Sequence, residues 1–146
     1  MSITRIHLPA ALALMVAAAL PAVAAAQGFD RAQLAGLWAE SARGSYACSN
    51  DNLHQRMTLS DDGKLLTFKL DRKWRIASGR EVEQYSATVL ESGPNRLVIR
   101  YDAEPNLSRE MSEWEMMFIG PGVYRWRSTS WPAGDYNTVV GVRCGS

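Results

Sequence analysis

The sequence predicts an all-β fold, an eight-stranded antiparallel up-and-down barrel in one domain. Three observations lead there. From Leu37 onward, apolar and polar residues alternate in short runs. Clusters of Gly, Pro, Asn and Asp punctuate those runs at short, regular intervals. Once the first strand begins, no segment places apolar residues at sustained helical spacing. Consecutive hairpin-like connections favour a closed barrel over a sandwich, because closure removes exposed strand edges.

The chain opens on an export signal. Met1 to His7 carries one charge, Arg5, and Leu8 to Ala26 is apolar and Ala-rich, interrupted by Pro9 and Pro21. Ala22-Val23-Ala24-Ala25-Ala26 is a small-residue run suited to signal peptidase, so cleavage is expected near Ala24 or Ala26. Two prolines and many alanines make a poor spanning helix, and no Lys/Arg cluster follows as a stop signal. Residues 1–26 are therefore a signal peptide and 27–146 the barrel domain, with no membrane span in the mature chain.

Gln27 to Gln33 is a short helical turn, with Asp30 placed to cap it. The first strand is expected from Leu37 to Cys48, interrupted near Gly44, and the second from His54 to Ser60. Asp61-Asp62-Gly63 is a hairpin turn. Lys64 to Trp74 puts Leu66, Phe68, Leu70 and Trp74 on one face, with Lys69, Asp71 and Lys73 on the other. After a polar loop to Arg80, Glu81 to Leu90 aligns Tyr85, Ala87 and Val89. Arg96 to Asp102 aligns Leu97, Ile99 and Tyr101. Ala103 to Glu110 is irregular, and three further strands run over Ser112–Ile119, Val123–Trp131 and Asn137–Cys144.

Charge and composition exclude several functions. Loss of the signal peptide removes Arg5 and no acid, which takes the formal net charge from +1 to zero. A neutral domain lacks the basic stripe of nucleic-acid binding. His54 is the only His beyond the signal peptide, read as a surface or hairpin residue, so no metal set, haem ligand or Ser-His-Asp site can be assembled. No phosphate-cradling Gly-rich loop appears. Glu113 and Glu115 share a face, as glycosidase carboxylates can, but read more simply as a solvated strand face. The expectation is a non-enzyme with no cofactor. In an oxidising compartment Cys48 and Cys144 form a disulfide, worth about 4–5 kcal/mol in the chain-entropy treatment for so long a loop.

Tyr124-Arg125-Trp126-Arg127 sends its two rings one way and its two arginines the other. The arginines are expected on an exposed face balanced by Glu113 and Glu115. Trp114, Phe118, Tyr124 and Trp126 share the inner side, where they either fill the barrel or line a ligand cavity.

Gly36-Leu37-Trp38 resembles the Gly-x-Trp signature that opens the first strand of lipocalins and the wider calycin group. The resemblance implies that Trp38 packs at the closed barrel end beneath a basic residue of the last strand, a place Arg143 matches. Asp135-Tyr136 resembles part of the lipocalin Thr-Asp-Tyr motif, with Gly134 in the Thr position. The chain is short for a lipocalin, so the likeness is to a compact lipocalin-like barrel. A second resemblance runs through Tyr46-Ala47-Cys48 and the late Cys144, which is similar to periplasmic inhibitors of C-type lysozyme. The Ser-Gly-x-x-Tyr loop of those inhibitors is not matched, since Ser78-Gly79 leads into Arg80-Glu81 and reaches a Tyr only at Tyr85. The combined expectation is a monomeric periplasmic or secreted barrel that binds a small apolar or amphipathic molecule. The alternative is an inhibitor of a lysozyme-type enzyme, with a protein target met by a surface loop.

Overall fold

The computed structural model describes residues 28–41, 47–76, 78–102, 106–135 and 139–145; the signal segment, Gly44, Tyr46, Pro105 and Tyr136 lie outside them. The strands are β1 (Leu37–Ser41), β2 (His54–Leu59), β3 (Leu65–Arg75), β4 (Glu81–Gly93), β5 (Arg96–Tyr101), β6 (Glu113–Gly120), β7 (Val123–Ser128) and β8 (Val140–Cys144). Each pairs antiparallel with the next, and β8 closes on β1 from Leu37↔Cys144 to Ser41↔Val140. The expected all-β, eight-stranded barrel is the fold.

Period-two alternation selects the inner residues. Leu66, Phe68 and Leu70 of β3 are buried, as are Ala87 of β4, Leu97 and Ile99 of β5, Met116 and Phe118 of β6, and Tyr124 and Trp126 of β7. Aromatic rings meet edge-on or tilted near the axis. Trp38 lies 5.1 Å from Tyr124 and 5.8 Å from Phe118, and Tyr124 lies 5.7 Å from Trp126.

One end is closed by a 3-10 helix, Arg31–Leu34, capped by Asp30 accepting from the Ala32 N–H. Its Leu34 is buried, and its carbonyl accepts from Trp38 Nε1 at 2.9 Å, so the indole N–H is not stranded in the core. The Arg143 guanidinium sits 5.0 Å over the Trp38 ring and donates to the Gln33 carbonyl at 2.8 Å. Gly36 makes this approach possible: its φ is +109°, and a Cβ there would meet the Arg143 stem at 3.2 Å.

Several boundaries differ from the sequence expectation. β1 ends at Ser41, and Cys48 sits in a turn rather than on a strand. Cys48 is nonetheless bridged to Cys144. Residues 47–53 form a strap across the outside of the barrel, tied to β8 by that disulfide. On the other side Arg72 of β3 donates to the Asn50 and Asn52 carbonyls, each at 2.9 Å. Ala39 and His54 lie opposite each other on the outward face, yet both are buried, as is Ala47 in the strap. The expectation of a surface His54 is therefore corrected: the strap covers it, and its Nδ1 lies 3.0 Å from the Asp71 carboxylate.

Trp74 is not buried with Leu66, Phe68 and Leu70, contrary to what its expected face implied. The β3–β4 register shifts between Lys69 and Trp74, which breaks the alternation and leaves Trp74 52% exposed. The irregular stretch before β6 ends in a one-turn helix, α1 (Arg109–Ser112), and β7 stops at Ser128, three residues short of Trp131.

A Cys48→Ser/Cys144→Ser variant is expected to keep its β-type circular dichroism but melt at lower temperature. Hydrogen exchange should accelerate in residues 47–54 well before the strands, since the bond ties the strap and not the ladder. Equal acceleration in β3 to β7 would show instead that the disulfide holds the barrel itself.

Candidate functional site

Glu40 follows Trp38 by two positions, so both point into the barrel. One carboxylate oxygen, Oε1, gathers three donors: Trp126 Nε1 at 2.6 Å, the Tyr124 hydroxyl at 2.7 Å and Gln55 Nε2 at 3.2 Å. Gln55 Nε2 also donates to the Tyr124 oxygen at 3.0 Å, and the Tyr85 hydroxyl reaches Gln55 Oε1 at 3.4 Å. A charged acceptor inside the barrel is thus met by fixed donors in place of water.

Strand register explains how Tyr124 gets there. Tyr124 on β7 faces Gly141 on β8, and Gly141 faces Glu40 on β1. The phenol lies flat over the glycine and reaches the next strand. A Cβ at Gly141 would fall 2.0 Å from Tyr124 Cζ, so only glycine allows this path. Burial first, and the Glu40 charge after it, push the Tyr124 and Tyr85 phenols well above their usual range. For Tyr101 the order is burial, then Tyr85, then Glu40. All three remain neutral hydroxyls able to donate.

Above this polar floor the barrel opens. A cavity of about 450 Å³ is lined, among the described residues, by Glu40, Gln55 and Tyr85 from the floor and by Asp51, Asn52 and Leu53 from the strap. Trp74 and Val139 complete its wall. The register shift that exposes Trp74 is what brings an indole to the mouth. A second hollow of about 400 Å³ lies at the closed end, between the 3-10 helix and the Gly120–Gly122 turn; its polar wall includes Arg143, already engaged with Trp38 and Gln33.

The four residues expected to line a ligand cavity do share the inner side, but they do not gather at the mouth. Phe118 packs near the closed end, 5.5 Å from Phe29. Tyr124 and Trp126 are buried in mid-barrel and hold Glu40. Trp114 is half-buried, 5.6 Å from Trp131, with its Nε1 donating to the Met111 carbonyl at 2.9 Å. Sequence reasoning missed Glu40, Gln55 and Trp74. Glu40 and Gln55 carried a signal, since each is polar at an inward position of its strand: Glu40 two after Trp38, Gln55 two before Met57. Trp74 carried none, because its placement follows from an irregularity in pairing.

The outer face also needs correction. Glu115 is 6% exposed rather than solvated, because Arg127 stands directly across the ladder and donates to it. Arg96 approaches the same oxygen at 3.9 Å, while Glu113 accepts from Arg109 at 2.7 Å. Arg127 is itself half-buried, its other nitrogen donating to the Trp131 carbonyl at 2.8 Å. The expected charge balance across the sheet is present; the expected exposure is not. Among the described residues, no three of His, Cys, Asp and Glu gather as a metal set, and no helix is long and apolar enough to cross a membrane.

Comparison with protein-family models, curated proteins and solved structures gives no match. Fold and site together define a class: a small closed antiparallel barrel, consistent with lipocalin-like architecture, with a packed middle and a cavity at one mouth. The bridged cysteines are compatible with an oxidising compartment.

Two substitutions separate the parts of the floor. Tyr124→Phe should cost about 2 kcal/mol in urea unfolding, the loss of a hydrogen bond to a charged group. Gly141→Ala should cost about 3 kcal/mol or more, because the ring must leave its path and the core must repack. A harmless Gly141→Ala would mean that the Tyr124 ring does not need the glycine.

Asp71 makes the strap pH-sensitive. The Arg72 guanidinium, and after it the His54 ring, lower its carboxyl from 3.8 to about 2. A group depressed on folding stabilises the fold above its unfolded pKa and ceases to as pH falls through its folded one. The stability difference between the native chain and Asp71→Asn should therefore be constant above pH about 4 and shrink toward pH about 2. A difference that persists unchanged to pH 2 would contradict this assignment.

Proposed function

We propose that the protein is an exported binding protein, periplasmic or secreted and monomeric, that holds a small amphipathic ligand in the barrel mouth and carries out no catalysis. The observation that carries the reading is the mixed lining of the mouth cavity. Polar groups (Glu40, Gln55, Asp51 and Asn52) lie beside apolar ones (Trp74, Leu53 and Val139). A few placed polar groups within an apolar wall are the general make-up of a small-molecule site. The aromatic middle supports it from below: Tyr124 and Trp126 are spent on packing and on fixing Glu40, so the cavity has a rigid base. The reading is of a shallow cup rather than a hollow calyx. Export is supported by the bridged cysteine pair.

Titration of the mature protein with the neutral reporter N-phenyl-1-naphthylamine should give saturable fluorescence. Trp74→Ala should weaken that binding at least fivefold while leaving the melting temperature nearly unchanged, because Trp74 is half exposed. Trp126→Ala should lower the melting temperature strongly. Absence of saturable uptake, or uptake indifferent to Trp74, would overturn the reading. Inhibition of lysozyme at near-stoichiometric amounts, without uptake, would favour the loop-borne inhibitor instead.

A further inference from the structure

We propose that the ligand class of this mouth is an organic cation, an ammonium or guanidinium carrying a short apolar or aromatic body. The inference rests on the binding reading above and deepens it. The lining holds two carboxylates, Glu40 and Asp51, with no Lys, Arg or His among its described residues. Two basic side chains of β3 are engaged elsewhere. Arg72 is bonded to Asp71 and to the strap carbonyls of Asn50 and Asn52, and Arg75 to Glu81. Among the described lining residues an entering anion would find no cationic side chain, whereas a cation would find two acids.

The geometry of Glu40 sharpens this. All three of its donors converge on Oε1. Oε2 receives no hydrogen bond from a described residue, so one full acceptor remains at the base of the cavity. The donors that fix Oε1 also hold the carboxylate plane, so Oε2 is presented without the loss of rotamer freedom that a mobile Glu would incur. Trp74, half exposed, stands in the same lining, beside Tyr85, whose ring is stacked on Phe68. An indole or phenol face near a carboxylate is the arrangement that attracts a cation most strongly, through the ring quadrupole. Leu53 and Val139 then offer contact to the ligand's apolar part. Neutral amphiphiles use only that last portion.

Three probes of equal length test the charge directly: octylammonium, 1-octanol and octanoate, titrated at neutral pH and low salt by calorimetry. Octylammonium should bind at least tenfold tighter than octanol, octanoate should bind weakest, and added salt should narrow the gap. Glu40→Gln should reduce the preference for octylammonium over octanol at least fivefold. Because that change touches the core network, Asp51→Asn on the exposed strap serves as the second variant and should reduce the preference at least twofold in a fully folded protein. Equal binding of octylammonium and octanol would overturn the cation assignment while the cup reading stands. A preference that survives both substitutions would overturn it too. Binding of none of the three would overturn both.

Discussion

The Glu40 carboxylate is the interaction on which the middle of this barrel depends. Its three donors come from two strands: Gln55 from β2, and Tyr124 and Trp126 from β7. The acceptor itself lies on β1, and β8 runs between β1 and β7. One oxygen therefore ties β1 to β2 on one side and, across β8, to β7 on the other. β1 and β8 are the shortest strands, at five residues each, and their outer pairings are the sparsest, two residue pairs for β1–β2 and three for β7–β8. An inward charge would be costly in an apolar core. Here it substitutes side-chain bonds for the backbone ladder that short strands cannot supply.

The same arrangement dictates what the rest of the interior can be. Tyr124 must lie flat over Gly141 to reach Glu40, and its ring is then within 5.7 Å of Phe118 and Trp126 and 5.1 Å of Trp38. The middle of the barrel is consequently occupied, and space for a ligand is displaced toward the end where β1 and β2 are linked by the strap. Closure at the other end is independent of this network. It rests on the 3-10 helix, on Trp38 bonded to Leu34, and on the Arg143 guanidinium over the indole. The two ends thus share Trp38 as a common wall but differ in chemistry, one sealed by a cation on an aromatic ring and the other floored by an acid.

Much of the architecture was legible because it follows from local rules. Alternation in Leu66-Thr67-Phe68-Lys69-Leu70 reports which side of a strand meets the core, and Gly63 at φ +73° marks a turn. The cysteine pairing followed from compartment chemistry alone. The strap did not, because nothing local says that residues 47–53 fold over an outward face. His54 consequently read as a surface residue when it is buried beneath them. Trp74 was expected in the core for a similar reason: the register shift before it, which accompanies its exposure at the rim, is set by pairing with β4. Glu115 looked solvated because its partner, Arg127, is adjacent in space and twelve positions away in sequence.

The candidate site was legible only in part, and the division is physical. Aromatics at inward positions were found, since ring size and periodicity are both visible in a sequence. Their role was harder, because a buried Trp or Tyr with its polar atom satisfied looks the same on paper whether it fills space or contacts a ligand. What distinguishes the two here is the destination of the polar atoms. Trp126 Nε1 and the Tyr124 hydroxyl both end on Glu40, so neither is left to orient a guest. Under the proposed binding function, orientation falls to the groups that the network leaves over, namely the second Glu40 oxygen and the strap's Asp51. On that same proposal, a barrel whose aromatic interior is spent on holding one carboxylate takes its specificity from the charge at its floor and not from the shape of a pocket.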